Sequence, residues 1–357
     1  MNHNMIRVLV VDDSAIVREL ITDVLSASPD ISVVGTASDA SLAFEAVNVL
    51  RPDVLTLDID MPEIDGLTFL RRLMRQHPMP VVVISSALTE GSDLALEALR
   101  LGAVDVVPKP GGPHSIGEIR FRLPERIRAA AVARIKSRTV HGEQAAGKIV
   151  YGASVDRGDL IAIGASTGGT EAILEVLRQL PRDSPPIVVV QHIPPLFSAR
   201  FADRLNEICR MAVREARDGE PLTTGLALIA PGNRHLLVKG SPGRFHACLR
   251  DGPPVNYSRP SVDVLFASVA ECAGPHAIGV ILTGMGSDGA AGLLRMRRAG
   301  AYTIAEDKST CAVFGMPREA IRLNAACVVA PLHNCPSVLM KHLAQNGAIK
   351  EERQCKS

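Results

Sequence analysis

The chain has no tryptophan, and aromatic residues make up only 3% of its 357 positions. That scarcity weakly disfavours an aromatic-lined small-molecule pocket. An excess of one charge is also missing: 39 Lys and Arg stand against 38 Asp and Glu, a formal net charge of +1. No electrostatic case therefore exists for nucleic acid or an anionic membrane surface. Apolar runs such as Ile187–Val190 and Ala277–Leu282 are far too short to span a bilayer. The N-terminus runs into Asp12 and Asp13 after a handful of apolar residues, unlike a signal peptide. Cysteine is absent from the first half. Cys209, Cys248, Cys272, Cys311, Cys327, Cys335 and Cys355 are scattered and never form C-x-x-C. Such usage fits reduced thiols better than a disulfide framework or a zinc site. The expectation is a cytoplasmic protein with no membrane insertion and no nucleic-acid partner.

The length allows two domains, each with a substantial core. In roughly the first 110 residues, β-rich runs (Ile6–Val11, Ile31–Thr36, Val54–Asp58, Val81–Ser85, Val104–Val107) alternate with stretches of helical apolar spacing. Those stretches are Ile16–Ser26, Ser41–Leu50, Leu67–Gln76 and Asp93–Leu101. Strand–helix alternation implies a parallel sheet with helices on both faces. From Leu160 the alternation resumes, with longer insertions. The spacing therefore predicts two doubly wound α/β domains: 1–123, then 158–347, joined by a short helix and flexible linker over 124–157. The last residues, 348–357, read as a polar tail.

Asp12 and Asp13 follow the first run, Asp58 the third, Ser85 ends the fourth, and Lys109 follows the fifth. In an open parallel sheet, ligands bind at the carboxyl ends of the strands near the topological switch point, so these side chains converge. Clustered carboxylates repel each other, and a hard divalent cation with oxygen ligands resolves that repulsion. A nearby lysine adds a point charge for phosphate oxygens. Single acids at strand ends are commonly helix caps, and Asp13-Ser14 suits that role. The joint occurrence of all these residues points instead to magnesium and phosphate chemistry.

A second constellation lies about a domain away. Gly164-Ala-Ser166-Thr-Gly168 sits between a strand and a helix, as a nucleophile elbow requires, and the helix N-terminus favours an oxyanion. Alone the motif is weak. However, Gln191-His192-Ile-Pro-Pro195 and Thr283-Gly-Met-Gly-Ser-Asp288-Gly also follow β-rich runs. Ser166, His192 and Asp288 would therefore meet at one sheet edge as a triad, with His192 as base and Asp288 as its orienting partner. The chain order Ser, His, Asp differs from the three familiar serine-hydrolase orders. His235 precedes Leu236–Val238 and reads as structural or as part of the cleft rim. His246, His276 and His333 read as surface residues.

The first half resembles the response-regulator receiver domain, a flavodoxin-like fold. Met61-Pro-Glu-Ile-Asp-Gly66 and Lys109-Pro110 add to the acidic cluster in carrying the likeness. The resemblance implies Asp58 as phosphoacceptor, with Asp12, Asp13 and Asp58 around Mg²⁺. It further implies that Lys109 contacts the phosphoryl group, as does the Ser85 hydroxyl, with Ser86 the adjacent alternative. Residues 159–345 resemble the catalytic domain of the chemotaxis protein-glutamate methylesterase, a Rossmann-like fold. Gly164-Ala-Ser-Thr-Gly-Gly169, Gln191-His-Ile-Pro194, Ala230-Pro-Gly-Asn-Arg-His235, Arg259-Pro-Ser-Val-Asp-Val-Leu-Phe266 and Leu282-Thr-Gly-Met-Gly-Ser-Asp-Gly289 carry it. This likeness implies hydrolysis of glutamate γ-methyl esters on the cytoplasmic helices of chemoreceptors, with glutamine deamidation by the same route. It implies no cofactor for the esterase chemistry, oxyanion support from Thr167 and the Met285 N–H, and a chemotaxis histidine kinase as phosphodonor.

The order of the parts suggests that phosphorylation relieves inhibition of Ser166, because it adds about −1.5 to −2 charge at Asp58. Two competing readings are a receptor-binding phospho-switch without turnover and an esterase for small molecules.

Overall fold

The computed structural model describes residues 5–61, 65–85, 93–109, 113–135, 158–195 and 197–354. The chain divides into two compact units, Met1–Thr139 and Val140–Ser357.

In the first unit the strands are β1 (Ile6–Val11), β2 (Ile31–Ala37), β3 (Val54–Leu57), β4 (Val81–Ser85) and β5 (Asp105–Pro108). Each pairs in parallel in the order β2-β1-β3-β4-β5, which places a topological switch between β1 and β3. β3 and β4 are buried throughout, so they carry uninterrupted apolar runs instead of alternating ones. The helices are α1 (Ala15–Ser26), α2 (Ala40–Leu50), α3 (Gly66–Gln76), α4 (Leu94–Leu101) and α5 (Pro113–Ala131). Ser14, Asp39 and Asp65 start α1, α2 and α3 by accepting the N–H groups of Val17, Leu42 and Thr68.

Helix α5 corrects the domain boundary expected at 123/124. It runs straight through Pro124, and Leu123, Ile127 and Ala130 are buried in the same core as Val8, Val10 and Ile84. Proline breaks only one helical hydrogen bond, and burial of the apolar stripe on either side holds the helix together. What reads as a basic linker helix is the last layer of the first domain, its charge facing outward and Arg128 paired to Asp30 at 2.6 Å. The linker expected beyond residue 135 lies outside the described residues up to 157.

The second unit is built on seven parallel strands: β6 (Leu160–Ala165), β7 (Ile187–Gln191), β8 (Ala212–Glu215), β9 (Leu226–Ile229), β12 (Ala277–Ile281), β13 (Tyr302–Glu306) and β14 (Val328–Ala330). Their order is β14-β13-β12-β6-β7-β9-β8. The chain builds outward from β6 on one side, then returns to lay β12 on the other, so the switch point is between β6 and β12. β10 (His235–Ser241) and β11 (Arg244–Arg250) form a separate antiparallel hairpin. Helices α6 (Gly169–Leu177), α7 (Phe197–Ile208), α8 (Val262–Ala273), α9 (Ala290–Arg298), α10 (Met316–Arg322) and α11 (Cys335–Gln354) complete the unit. The core joins the hairpin to the sheet through α8: Leu236, Val238 and Phe245 pack with Leu265, Phe266 and Val269. Helix α11 continues through most of the segment that reads as a polar tail; only 355–357 lie outside the described residues. No described helix is long and apolar enough to cross a membrane.

Candidate functional site

In the first unit, β1 delivers Asp12 and Asp13 to the switch point and β3 delivers Asp58. Oxygens of all three carboxylates lie within 4.8 Å of one another. Asp12 and Asp58 are fully buried, whereas Asp13 is exposed. Lys109, just past β5, lies between the two buried acids, its Nζ 2.9 Å from Asp12 Oδ2 and 2.8 Å from Asp58 Oδ2. One ammonium thus serves two carboxylates. Burial pushes the Asp58 carboxyl above its ordinary range; Lys109 opposes that shift and the Asp12 charge adds to it. Burial would lower the Lys109 ammonium, but its bonds to Asp58 and Asp12 outweigh this and raise it. The donor set fits a hard divalent cation: three acidic side chains offering only oxygen, with less than their charge compensated. Ser85 lies at the same edge and donates its hydroxyl to Asp60 Oδ2 at 3.1 Å, while its carbonyl accepts the Lys109 N–H. Ser86, Pro110 and part of the Met61–Gly66 motif lie outside the described residues.

In the second unit the switch point falls where the second constellation was expected. Ala165 and Gln191 are register partners on β6 and β7, so Ser166 and His192 leave adjacent strand ends. Buried Ser166 opens a tight turn. Its carbonyl accepts the Gly169 N–H at 2.7 Å and the Gln191 amide at 2.8 Å, and its own N–H donates to the Thr283 carbonyl at 3.0 Å. Gly168 takes a left-handed φ of +76° and α6 starts directly after it, aiming a helix N-terminus at the turn. The Thr283–Gly286 loop, past the end of β12, presses against the serine. A Cβ on Gly284 would lie 2.7 Å from Ser166 Cβ.

His192 and Asp288 are in direct contact, Nε2 to Oδ2 at 2.8 Å. Asp288 is buried, yet its carboxylate is saturated with donors. Oδ2 also accepts the Val262 N–H at 2.7 Å, and Oδ1 accepts Ser261 Oγ at 2.8 Å, Asn256 Nδ2 at 3.1 Å and the Asp263 N–H at 3.2 Å. Two of those donors are the first N–H groups of α8, so the carboxylate sits on a helix N-terminus. Burial would raise the Asp288 carboxyl, but His192, Ser261 and the Val262 N–H together hold it below its usual range. With Nε2 on the carboxylate, Nδ1 is the remaining ring nitrogen; it has Ser258 Oγ at 3.4 Å.

This assembly can be set beside known proteins. Residues 161–339 match the family model described as CheB methylesterase, and residues 8–119 match the response regulator receiver domain. A protein-glutamate methylesterase/protein-glutamine glutaminase of Syntrophus aciditrophicus is 48% identical over 94% of this chain and 98% of its own length. This chain belongs to the CheB methylesterase family. A relative of Burkholderia lata with the same name is 51% identical over 96% of this chain and 97% of its own. The catalytic domain of the Thermotoga maritima CheB methylesterase superimposes with a TM-score of 0.50 at 41% identity, covering 51% of this chain and 97% of that domain.

Around these residues stand others to which the sequence alone gave no hydrogen-bonding role, some of them inside the quoted motifs. Ser261 caps α8 by accepting the Val264 N–H while donating to Asp288. Buried His235 accepts the Ser261 N–H on Nδ1 at 3.2 Å and meets the Pro253 carbonyl through Nε2 at 3.0 Å. It opens β10 as a structural strut, one of the two readings that its position before Leu236–Val238 left open. Glu306, at the end of β13, is buried and accepts the Thr283 N–H at 2.8 Å. The Thr283 hydroxyl donates to the Thr167 carbonyl at 3.1 Å and accepts the Val313 N–H at 2.9 Å. Thr167 is therefore tied to the loop by its main chain. The Met285 N–H meets no acceptor among the described residues.

Proposed function

We propose that this chain removes methyl groups from glutamate γ-methyl esters on chemoreceptor helices and deamidates glutamines at such sites, with Ser166 as nucleophile. The observation that carries this reading is the His192–Asp288 pair at the strand end beside Ser166. Ser166 Oγ attacks the ester carbonyl as His192 Nδ1 takes its proton, and Asp288 stabilises the imidazolium that forms. The tetrahedral oxyanion meets the free Met285 N–H and the α6 N-terminus. The C–OMe bond then breaks as His192 returns the proton, so methanol leaves and an acyl-serine remains. Water, deprotonated by His192, hydrolyses that ester to glutamate and free serine. From a glutamine amide the same sequence releases ammonia.

The receiver supplies regulation. Asp58 accepts a phosphoryl group from a chemotaxis histidine kinase or a small donor. Asp12, Asp13 and Asp58 would hold Mg²⁺, which when bound would supply charge neutralisation for the phosphoryl oxygens. Lys109 and the Ser85 hydroxyl contact the phosphoryl group, and phosphorylation raises turnover at Ser166 in the cytoplasm.

The test is methanol release from a methylated chemoreceptor cytoplasmic fragment, with and without Mg²⁺ and a small phosphodonor. Release that needs Ser166, and rises with the phosphodonor only when Asp58 is present, supports both halves. Receptor binding without release by the wild-type chain sinks the hydrolase.

A further inference from the structure

The short turn Val255–Ser258 touches both His192 and Asp288 of the second site and carries an exposed aromatic ring. Val255 and Ser258 exchange backbone hydrogen bonds at 3.0 and 2.9 Å, closing a two-residue loop. Both central residues, Asn256 (φ 49°) and Tyr257 (φ 61°), are left-handed, as a primed type I turn demands. Asn accepts that conformation readily, but a bulky ring at the second position is an outlier where glycine is the favoured residue. The turn is held in place from the site itself. Asn256 Nδ2 donates to Asp263 Oδ2 at 2.7 Å and to Asp288 Oδ1 at 3.1 Å, and Ser258 Oγ faces His192 Nδ1.

Tyr257 gains nothing from the fold in return for its strain. The residue is 82% exposed, and its side chain makes no hydrogen bond or ring contact among the described residues. In a chain with three tyrosines and no tryptophan, one ring is spent at the rim of the site in a backbone conformation that disfavours it. Strained residues that the surrounding structure holds firmly cluster at ligand-contacting positions.

We propose that this turn is a docking element for the protein substrate, with Tyr257 covering apolar side-chain stems of the segment that carries the scissile group. The proposal rests on the hydrolase reading above. Ser166 is 3% exposed and Tyr257 82% exposed, so the ring is offered to the parts of a substrate that remain outside when its ester is seated at the serine. A chain segment bearing the ester has such parts, and a small ester has few. A tyrosine supplies a large contact area at little entropic cost, with a hydroxyl left over for a polar neighbour.

The experiment uses the full chain with Mg²⁺ and a small phosphodonor, and the variants Tyr257→Gly, Tyr257→Phe and Tyr257→Ala. Tyr257→Gly places the favoured residue in the left-handed position, so it folds at least as well as the parent and removes the ring without a stability penalty. Expected is a fall of about tenfold or more in kcat/KM on a methylated receptor fragment for the Gly and Ala variants, carried mainly by KM. Tyr257→Phe retains most of the rate, and hydrolysis of a small carboxylic methyl ester stays unchanged in all three. Equal losses on both substrates, or none on the fragment, overturn the docking role while leaving the hydrolase standing. Fragment binding is measured in parallel in a Ser166→Ala background. If the wild-type chain shows no turnover but fragment binding still weakens with Tyr257→Gly, docking stands and the hydrolase reading fails. Neither binding nor turnover overturns both.

Discussion

Asp288 Oδ2 accepts hydrogen bonds from His192 Nε2 at 2.8 Å and from the Val262 N–H at 2.7 Å. The same oxygen therefore orients the base and terminates helix α8, so the acid of the site is also a structural anchor.

Replacing Asp288 by Asn keeps the shape but removes the charge that favours the imidazolium. Expected is a loss of roughly 10⁴ in kcat with a much smaller change in KM, read by methanol release. A loss below about tenfold would show that Asp288 has no role in orienting His192.

The stability contribution of Asp288 carries a sign. Its folded carboxyl lies below the ordinary range, so the folded state binds fewer protons there than the unfolded one. The contribution is fully present above the ordinary carboxylate value and is lost as pH falls through the lowered folded value. The gap in denaturation midpoint between wild type and Asp288→Asn should be wide at neutral pH and narrow in acid. A gap that widened in acid would contradict the assignment.

Gly284→Ala places a methyl 2.7 Å from Ser166 Cβ and 2.3 Å from Met316 Sδ. The methionine end can shift; the serine turn cannot do so without losing the Ser166–Thr283 bond. Activity is expected to fall by about a hundredfold, as for a misplacement of about 1 Å, while the fold survives. Retained activity with a raised melting temperature would refute the crowding argument.

The two buried acids around Lys109 carry more negative charge than one ammonium balances. Millimolar Mg²⁺ should therefore raise the thermal midpoint of the receiver transition, and Asp58→Asn should abolish most of that gain. An equal gain in the variant would place the cation elsewhere.

Helix α5 belongs to the first fold, so Ile127→Ala in the core should destabilise the receiver by about 2–5 kcal/mol. A loss under about 0.5 kcal/mol by denaturant titration would return the helix to the linker.

The sequence by itself determined the two βα rhythms and the strand ends that carry Asp12, Asp58, Ser166, His192 and Asp288. Buried parallel strands need continuous apolar runs, and the Gly-rich turns after them are local chemistry visible in one dimension. It could not determine where the first domain stops: Pro124 and the Arg-rich tract look like a break, and only packing of Leu123 and Ile127 against the sheet reveals the helix as core. Nor did it give a role to Ser261, which lies inside the Arg259–Phe266 motif, or mark Asn256 just ahead of that motif or Glu306 beyond the last one. Their roles come from long-range closure, in which β12 returns beside β6 and the N-terminus of α8 is brought to Asp288. Local pattern placed the reactive groups at strand ends, and tertiary structure decided which neighbours hold them.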